Sequence, residues 1–491
     1  MLGTPRGDPC EEAIMERTSS TDLVVVGSGP GGYGAAFRAA DLGWSVTLIG
    51  QEAAPGGICL HVGCIPSKAL LHLARVVAEA QEAERWGVTF SPPRIDLDRV
   101  RAWKQSVVER LTGGLRLLAE QRGVRYLRGR ARLLDAQTLL VETKSGDAER
   151  VSFRHAILAT GSRPAELPGI SLTSPRVMDS TRALELEDVP RTLLVIGGGY
   201  IGLELGTVYA RLGARVTLVE MMPGILPGVD RDLATILARR IEALFDAVLV
   251  NTTVVEMRED AEGVRVRFEG VGGHAVPPPA ERVFDKVLVC VGRKPNAQDM
   301  GLERTRVERD PRGFIRVNAE RRTDEPTIFA IGDVAGEPML AHKAMHEARV
   351  AVEAIAGRAT AFEPRAIPAV VFTDPEIAWC GLTETQARQE NRPIKVARFP
   401  WAASGRAVTL DRPEGVTKLI LDPETERIIG VGIAGVGAGE LIAEGVLAVE
   451  MGARASDVER VIHPHPTLSE TVLEAAEAFL GVSPHLYRRR T

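Results

Sequence analysis

One unit is written twice in this chain, and that repeat constrains its fold more than any other feature. Residues 23–49 read LVVVGSGPGGYGAAFRAADLGWSVTLI and residues 193–220 read LLVIGGGYIGLELGTVYARLGARVTLVE. In each copy an apolar run ends in a G-x-G-x-x-G loop, a helix-forming stretch follows, and a second apolar run closes the unit. The glycines are Gly27, Gly29 and Gly32 in the first copy and Gly197, Gly199 and Gly202 in the second. The first glycine makes the tight turn after the strand. The second lets backbone approach a pyrophosphate, and the third lets helix pack on strand. The anion then sits at the helix N-terminus, where unpaired N–H groups and the helix dipole face it. The motif is informative only between a strand and a helix, and both copies meet that condition. Two dinucleotide sites are therefore expected.

An acid at the end of the second strand, about 20 residues on, accepts the ribose hydroxyls in such units. Glu220 stands there in the second copy, followed by Met221 and Met222 and no arginine, which favours NAD over NADP. The same position in the first copy is Gly50, followed by Gln51 and Glu52. Glu52 is the candidate acid of that loop.

The five cysteines are Cys10, Cys59, Cys64, Cys290 and Cys380. An odd, sparse set is no disulfide framework. Cys290, in VLVCVG, reads as a small buried hydrophobe. Cys59 and Cys64, in CLHVGCIPSK, form the one local pair. His61 lies between them, but no fourth ligand is near, so no metal is expected. Two dinucleotide loops and a cysteine pair suit flavin, nicotinamide and disulfide in series, because a flavin exchanges a hydride with one and an electron pair with the other.

At 491 residues the chain is too long for one core, and three or four domains are the prior. A net charge of -5 gives no basic excess for nucleic acid or an anionic membrane. No run of 18 apolar residues suggests a spanning helix. The first 22 residues carry early acids and no apolar core, unlike a secretory signal, so a cytoplasmic protein is expected. Residues 1–20 read as a disordered extension, with Met15 a second candidate start.

From about residue 20 to 485 the chain resembles the dihydrolipoamide dehydrogenase branch of the class I pyridine nucleotide–disulfide oxidoreductase family. The motifs that carry the resemblance are GSGPGGY, CLHVGCIPSKALL, ATGSRP, GGGYIGLELG, VCVGRKPN, TIFAIGDV, PMLAHKA and HPHPTLSE. It implies an α/β chain with two Rossmann-like dinucleotide-binding domains, a central domain and a C-terminal α+β dimerisation domain. The implied boundaries are 21–165 for an FAD domain with the redox disulfide, 166–292 for an NAD domain, 293–364 for the central domain and 365–491 for the interface domain. FAD and NAD are the implied cofactors. A homodimer and a lipoyl-carrying protein are the implied partners.

The resemblance also assigns roles. Cys59 would be the interchange thiol that meets substrate, and Cys64 the sulfur next to the flavin. Lys68 would lie by the flavin, paired with Glu204. His465 would be the acid/base, held by Glu470 and serving the disulfide of the other subunit, while His463 supports structure. Gly57, Ala131, Thr160, Gly161, Ser162 and Asp333 would contact FAD, Asp333 through the ribityl chain, together with Met339, Leu340, Ala341 and His342. Val254 and Gly292 would join the NAD side. The residue types suit the chemistry: only a thiolate attacks a disulfide or a flavin, and a histidine titrates where a dithiol needs a base. Two positions depart from the family pattern, Gly50 for an acid and His61 for an asparagine. Competing readings are a related mercuric or glutathione reductase, and a docking subunit with little redox activity. No cysteine follows Cys380, against the first, and the complete set Cys59, Cys64, Lys68, His465 and Glu470 argues against the last.

Overall fold

The protein is described here by a computed structural model covering residues 17–143, 146–167 and 174–487. Cys10, Met15 and the C-terminal arginines lie outside the described residues. The chain divides into two compact units. One comprises residues 1–61, 109–163 and 294–362, the other residues 62–108, 164–293 and 363–491.

The first unit is built on the first glycine unit. Strands Arg17–Val26 and Val46–Gly50 run parallel, Leu23 opposite Val46 and Val26 opposite Ile49. Strand Ala148–Leu158 flanks the first of them, also parallel, and Ile328–Ala330 lies beyond it. Arg125–Leu133 pairs in parallel with Val46–Gly50. Thr138–Thr143 runs antiparallel to both Arg125–Leu133 and Ala148–Leu158. Strands covered on both faces read as continuous aliphatic runs, and Leu23, Val24 and Val25 are indeed wholly buried. Helix Pro30–Asp41 buries Ala35, Ala36 and Ala39 in one cluster with Ala348, Ala351 and Val352 of helix Ala341–Ile355. Alanine on both faces lets these two helices approach closely.

The expected disordered start is corrected here. Residues 17–20 are strand, Arg17 opposite Glu149 and Ser20 opposite Ser152. The reason is local pairing: Ala148–Leu158 is 11 residues long, and its outer half presents N–H and C=O groups that need partners. Ser19 and Arg125 both bond the Glu149 carboxylate there, at 2.6 Å each.

The second unit holds the second glycine unit. Thr192–Ile196 and Arg215–Val219 pair in parallel inside a five-stranded sheet. Its order is Ala247–Leu249, Arg215–Val219, Thr192–Ile196, Lys286–Val289, Val177–Met178. Helix Cys64–Glu82 puts Leu70 and Ala74 in the same cluster as Leu203 and Leu205 of helix Tyr200–Arg211. The redox helix thus groups with the second glycine unit, whereas the sequence reading kept it with 21–165. The helical run Gly57–Trp86 has the length and composition of a membrane span; packing of Leu70 and Ala74 into this core accounts for its apolar face.

GVRVRFEG forms Val264–Gly270, the middle strand of an antiparallel sheet. Residues beyond 363 supply a five-stranded antiparallel sheet ordered Ala369–Val371, Glu376–Gly381, Ile428–Gly435, Val416–Leu421, Lys395–Pro400. Helices Ala438–Met451 and Glu470–Leu480 join its core, with Trp401 wholly buried among them. Also in this unit, the buried Lys418 ammonium lies 2.7 Å from Asp230, 2.8 Å from Asp232 and 2.9 Å from Glu384. These three carboxylates cluster closely enough to suggest a metal site, but the lysine already sits on all of them.

Candidate active site

Both loops have the backbone that their glycines predict. Gly27 and Gly197 each have φ +108°, open to glycine and costly for other residues. A Cβ at Gly32 would fall 1.8 Å from the Gly27 carbonyl oxygen, and one at Gly202 would fall 2.2 Å from that of Gly197. Gly29 and Gly199 are the N-caps of helices Pro30–Asp41 and Tyr200–Arg211, and neither helix has a side-chain cap. A Cβ at Gly199 would meet nothing within 4 Å. One at Gly29 would meet only the Gly57 Cα, at 4.0 Å. Each helix start is therefore open on the side a pyrophosphate needs, and the residues fit a dinucleotide at both places. Gly57 itself, with φ +59°, is forced to be glycine, since its Cβ would sit 2.5 Å from the Gly29 Cα.

The strand ends differ. Buried Glu220 accepts the Gly198 N–H at 2.7 Å through Oε2 and the Met222 N–H at 2.8 Å through Oε1. At Gly50 a Cβ would lie 2.4 Å from both Ser28 Oγ and the Tyr126 hydroxyl. Glu52, half-buried, brings Oε2 to 3.4 Å from Ser28 Oγ. In the second unit, Gly292 has φ +115° with open space at its Cβ position, and its carbonyl accepts the Ala165 N–H at 2.9 Å. Val254 is half-buried where strand Thr252–Glu259 shifts register.

Expected flavin contacts of the first unit converge on one turn. Ser162 donates to the Asp333 carboxylate at 2.5 Å. Thr160 donates to the Asn296 carbonyl at 2.7 Å, and the Asn296 amide donates back to the Thr160 carbonyl at 3.0 Å. Between them Gly161 has φ +71° with nothing near its Cβ position. Ala131 is half-buried on Arg125–Leu133. Met339 is half-buried, Leu340 caps helix Ala341–Ile355, and Ala341 and exposed His342 begin it.

Behind the Asp333 turn lies a charge cluster that the sequence reading missed. Glu347, wholly buried, accepts the Gly332 N–H at 2.6 Å and pairs with Arg321 at 2.8 Å and Lys343 at 3.0 Å. Lys343 also donates to the Gly336 carbonyl at 3.0 Å. A buried carboxylate persists only when paired and hydrogen-bonded, so this cluster fixes the backbone on both sides of Asp333. The available signal was a Lys and a Glu four residues apart on a helix whose other residues are largely apolar.

Cys59 is half-buried in helix Gly57–Val62, and Cys64, exposed, is the first residue of helix Cys64–Glu82. His61 places Nε2 3.1 Å from the Ala54 carbonyl oxygen. Tyr33, half-buried, has its phenol pushed up by burial and by the nearby Cys59 charge. Lys68 donates to Glu204 Oε2 at 2.9 Å, as expected, and Ser67 donates to the same oxygen at 3.1 Å. The other oxygen accepts the Phe372 N–H at 3.0 Å, and the Lys68 ammonium stands 4.5 Å over the Phe372 ring. Phe372 was not foreseen, because nothing local ties it to Glu204, 168 residues earlier in the chain.

The two histidines of HPHP have opposite settings. His463 is nearly enclosed, its side chain 5% exposed, with Nδ1 2.8 Å from the Val461 carbonyl and Nε2 2.8 Å from Glu444. His465 is 77% exposed, with Nδ1 2.8 Å from Glu470 Oε1. The other Glu470 oxygen accepts the Thr467 N–H at 2.7 Å. Partial burial raises the Glu470 carboxyl, but the Thr467 N–H and His465 outweigh it and hold it below its ordinary value. An ionised Glu470 accepts a hydrogen bond from the Nδ1–H, which keeps that proton on Nδ1 and leaves the Nε2 lone pair outward as a base.

Residues 21–348 match the family described as pyridine nucleotide-disulphide oxidoreductase, and residues 367–476 match the dimerisation domain of that family. The chain is 47% identical over 468 residues to the dihydrolipoyl dehydrogenase of Haemophilus influenzae, covering 95% of this chain and 96% of the relative. It is 47% identical over 469 residues to that of Thermus scotoductus, covering 95% and 99%. Among solved structures it is similar to LpdA of Mycobacterium tuberculosis, with a TM-score of 0.86, 25% identity and coverage of 93% and 99%. It is also similar to the flavoprotein disulfide reductase RclA of Escherichia coli, with a TM-score of 0.82, 28% identity and the same coverage.

Proposed function

The chain belongs to the pyridine nucleotide-disulphide oxidoreductase family, and we propose how its residues divide the work of a dihydrolipoyl dehydrogenase. The reaction is reversible oxidation of a dihydrolipoyl dithiol with reduction of NAD+, through FAD and an internal disulfide. FAD, when bound, supplies the two-electron exchange between nicotinamide and thiolate. The first glycine loop, Gly57, the Thr160–Ser162 turn, Asp333 and Met339–His342 would hold it. The second loop, Glu220, Val254 and Gly292 would hold NAD.

His465 carries the reading of the thiol chemistry. Its Nε2 takes the proton of one dihydrolipoyl thiol, and the resulting thiolate attacks Cys59 Sγ of the Cys59–Cys64 disulfide. The bond between the cysteines breaks, and Cys64 leaves with the electron pair as a thiolate. The second dihydrolipoyl thiol, deprotonated in turn, displaces Cys59. A lipoyl disulfide is released, and the two cysteines are left as a dithiol carrying both electrons. Glu470 keeps the Nδ1 proton in place and stabilises the imidazolium, as a carboxylate does beside a catalytic histidine elsewhere. Lys68 and Glu204 act as a pair fixed to the redox helix.

The match of residues 367–476 to the family's dimerisation domain supports a homodimer. That domain leaves Leu447, Met451, Val461 and Ile462 largely exposed in the single chain, Ile462 at 96%, and clustered apolar exposure of this kind suits a subunit contact. We further propose that His465 serves the cysteines of the other protomer and that the dithiol arrives on a lipoyl-carrying protein. The cytoplasm is the proposed location, since a couple recharged by nicotinamide needs that pool. NAD+ reduction with dihydrolipoamide, compared with glutathione and with NADH oxidation by mercuric ion, tests the reading. Wild type should turn over the lipoyl substrate alone, Cys59→Ser should abolish that, and His465→Ala should cripple it with flavin retained. Equal rates with glutathione would overturn it.

A further inference from the structure

The two glycine loops correspond residue for residue. The Gly27 N–H donates to the Ile49 carbonyl at 2.8 Å, and the Gly197 N–H donates to the Val219 carbonyl at 2.9 Å. Gly50 is thus the counterpart of Glu220, and Ser28 the counterpart of Gly198. In the second loop the acid folds over a glycine, its Cβ 3.1 Å from where a Cβ at Gly198 would stand. In the first loop the side chains are exchanged. Ser28 has one and Gly50 has none, and the Tyr126 phenol enters the vacated volume from the adjacent strand.

We propose that the ribose acceptor of the first loop is Glu52, displaced by two residues because Ser28 and Tyr126 together occupy the space of an acid at position 50. The proposal rests on reading this loop as the FAD site, and its ligand is the vicinal diol of the adenosine ribose. Three contacts set the acid. Tyr126 donates its hydroxyl to the Glu52 carbonyl at 3.1 Å and lies 3.5 Å from Ser28 Oγ. Arg128 donates through Nε to the Gln51 carbonyl at 3.1 Å. The turn after the strand is thereby pinned at two successive carbonyls. Its pinned form brings the Glu52 carboxylate to 3.4 Å from Ser28 Oγ. Ser28 is the same loop position whose counterpart, Gly198, donates its N–H to Glu220. The carboxylate therefore meets the glycine loop at the equivalent residue although it starts two residues later. Burial, chiefly, and the Glu52 charge keep the Tyr126 phenol protonated as a donor.

Affinity of apoprotein for FAD, followed by quenching of flavin fluorescence, tests this, with FMN as a ligand that lacks the adenosine ribose. Glu52→Gln should weaken FAD binding about 10- to 100-fold, the loss expected for one hydrogen bond to a charged group, and leave FMN binding and the apoprotein melting temperature unchanged. Gly50→Glu alone should weaken FAD binding, because Ser28 and Tyr126 block it. Adding Gly50→Glu, Ser28→Gly and Tyr126→Val to Glu52→Gln should restore it by rebuilding the second loop's arrangement. A Glu52→Gln protein that binds FAD as tightly as wild type overturns the proposal, as does a tighter Gly50→Glu single variant. A wild type that binds no FAD overturns instead the assignment of the loop itself.

Discussion

The two glycine loops share a backbone and differ in what stands behind it. Each has the same φ of +108° at its first glycine, the same steric bar at its third and the same uncapped helix start. Yet in one the acid is a buried strand-end glutamate bonded to two N–H groups, and in the other that place is empty of side chain and filled by a tyrosine from the neighbouring strand. Backbone at a pyrophosphate is dictated locally, by clashes no side chain can avoid. The ribose end is a packing problem, solvable in more than one way.

The sharpest test of the comparison sets Gly27→Ala beside Gly197→Ala. The first should give colourless protein with no activity. The second should stay yellow and change its flavin absorbance on adding dihydrolipoamide, yet no longer turn over with NAD+. Flavin absorbance and NADH formation read both, and identical losses would show that the copies are not specialised. Next in size, His465→Gln should leave both loops loaded and lower kcat with dihydrolipoamide by ~10²–10⁴-fold, the usual worth of a general acid/base, whereas NADH-driven dye reduction should persist. Glu220→Gln should raise KM for NADH by about 10-fold or more through a lost charge-assisted bond, without change in flavin content.

The smallest effect concerns acid stability, where the second unit carries its own signature. Burial alone would raise the Asp230 carboxyl, but Lys418 and the Glu384 and Thr385 donors outweigh it and bring it to about 2. The native state then binds fewer protons than the unfolded chain, whose carboxyl titrates near 3.9. The resulting stabilisation, about 2 kcal/mol, is complete above that value and is lost as pH falls toward 2. Urea midpoints of wild type and Asp230→Asn should therefore differ more at pH 6 than at pH 3. An equal gap at both would sink the assignment.

Legibility in the sequence followed range. The strands of both glycine units and both loops could be read because glycine spacing and aliphatic runs act over a few residues. Lys68 with Glu204, and His465 with Glu470, could be read through resemblance, and the structure brings each pair together. Tyr126 at Gly50, Phe372 at Glu204 and Arg321 at Glu347 could not, since each joins residues set side by side only by the fold. The pairing of residues 17–20 was missed for a related reason: their partner strand is 11 residues long, a length its own sequence does not announce.

The contact of Gly57 with Gly29 has a further meaning. A methyl group at position 57 would drive into the pyrophosphate loop, and Cys59 is two residues downstream on the same short helix. In the proposed site, nucleotide grip and thiol placement would therefore meet at this one glycine contact, and a side chain at position 57 would disturb both.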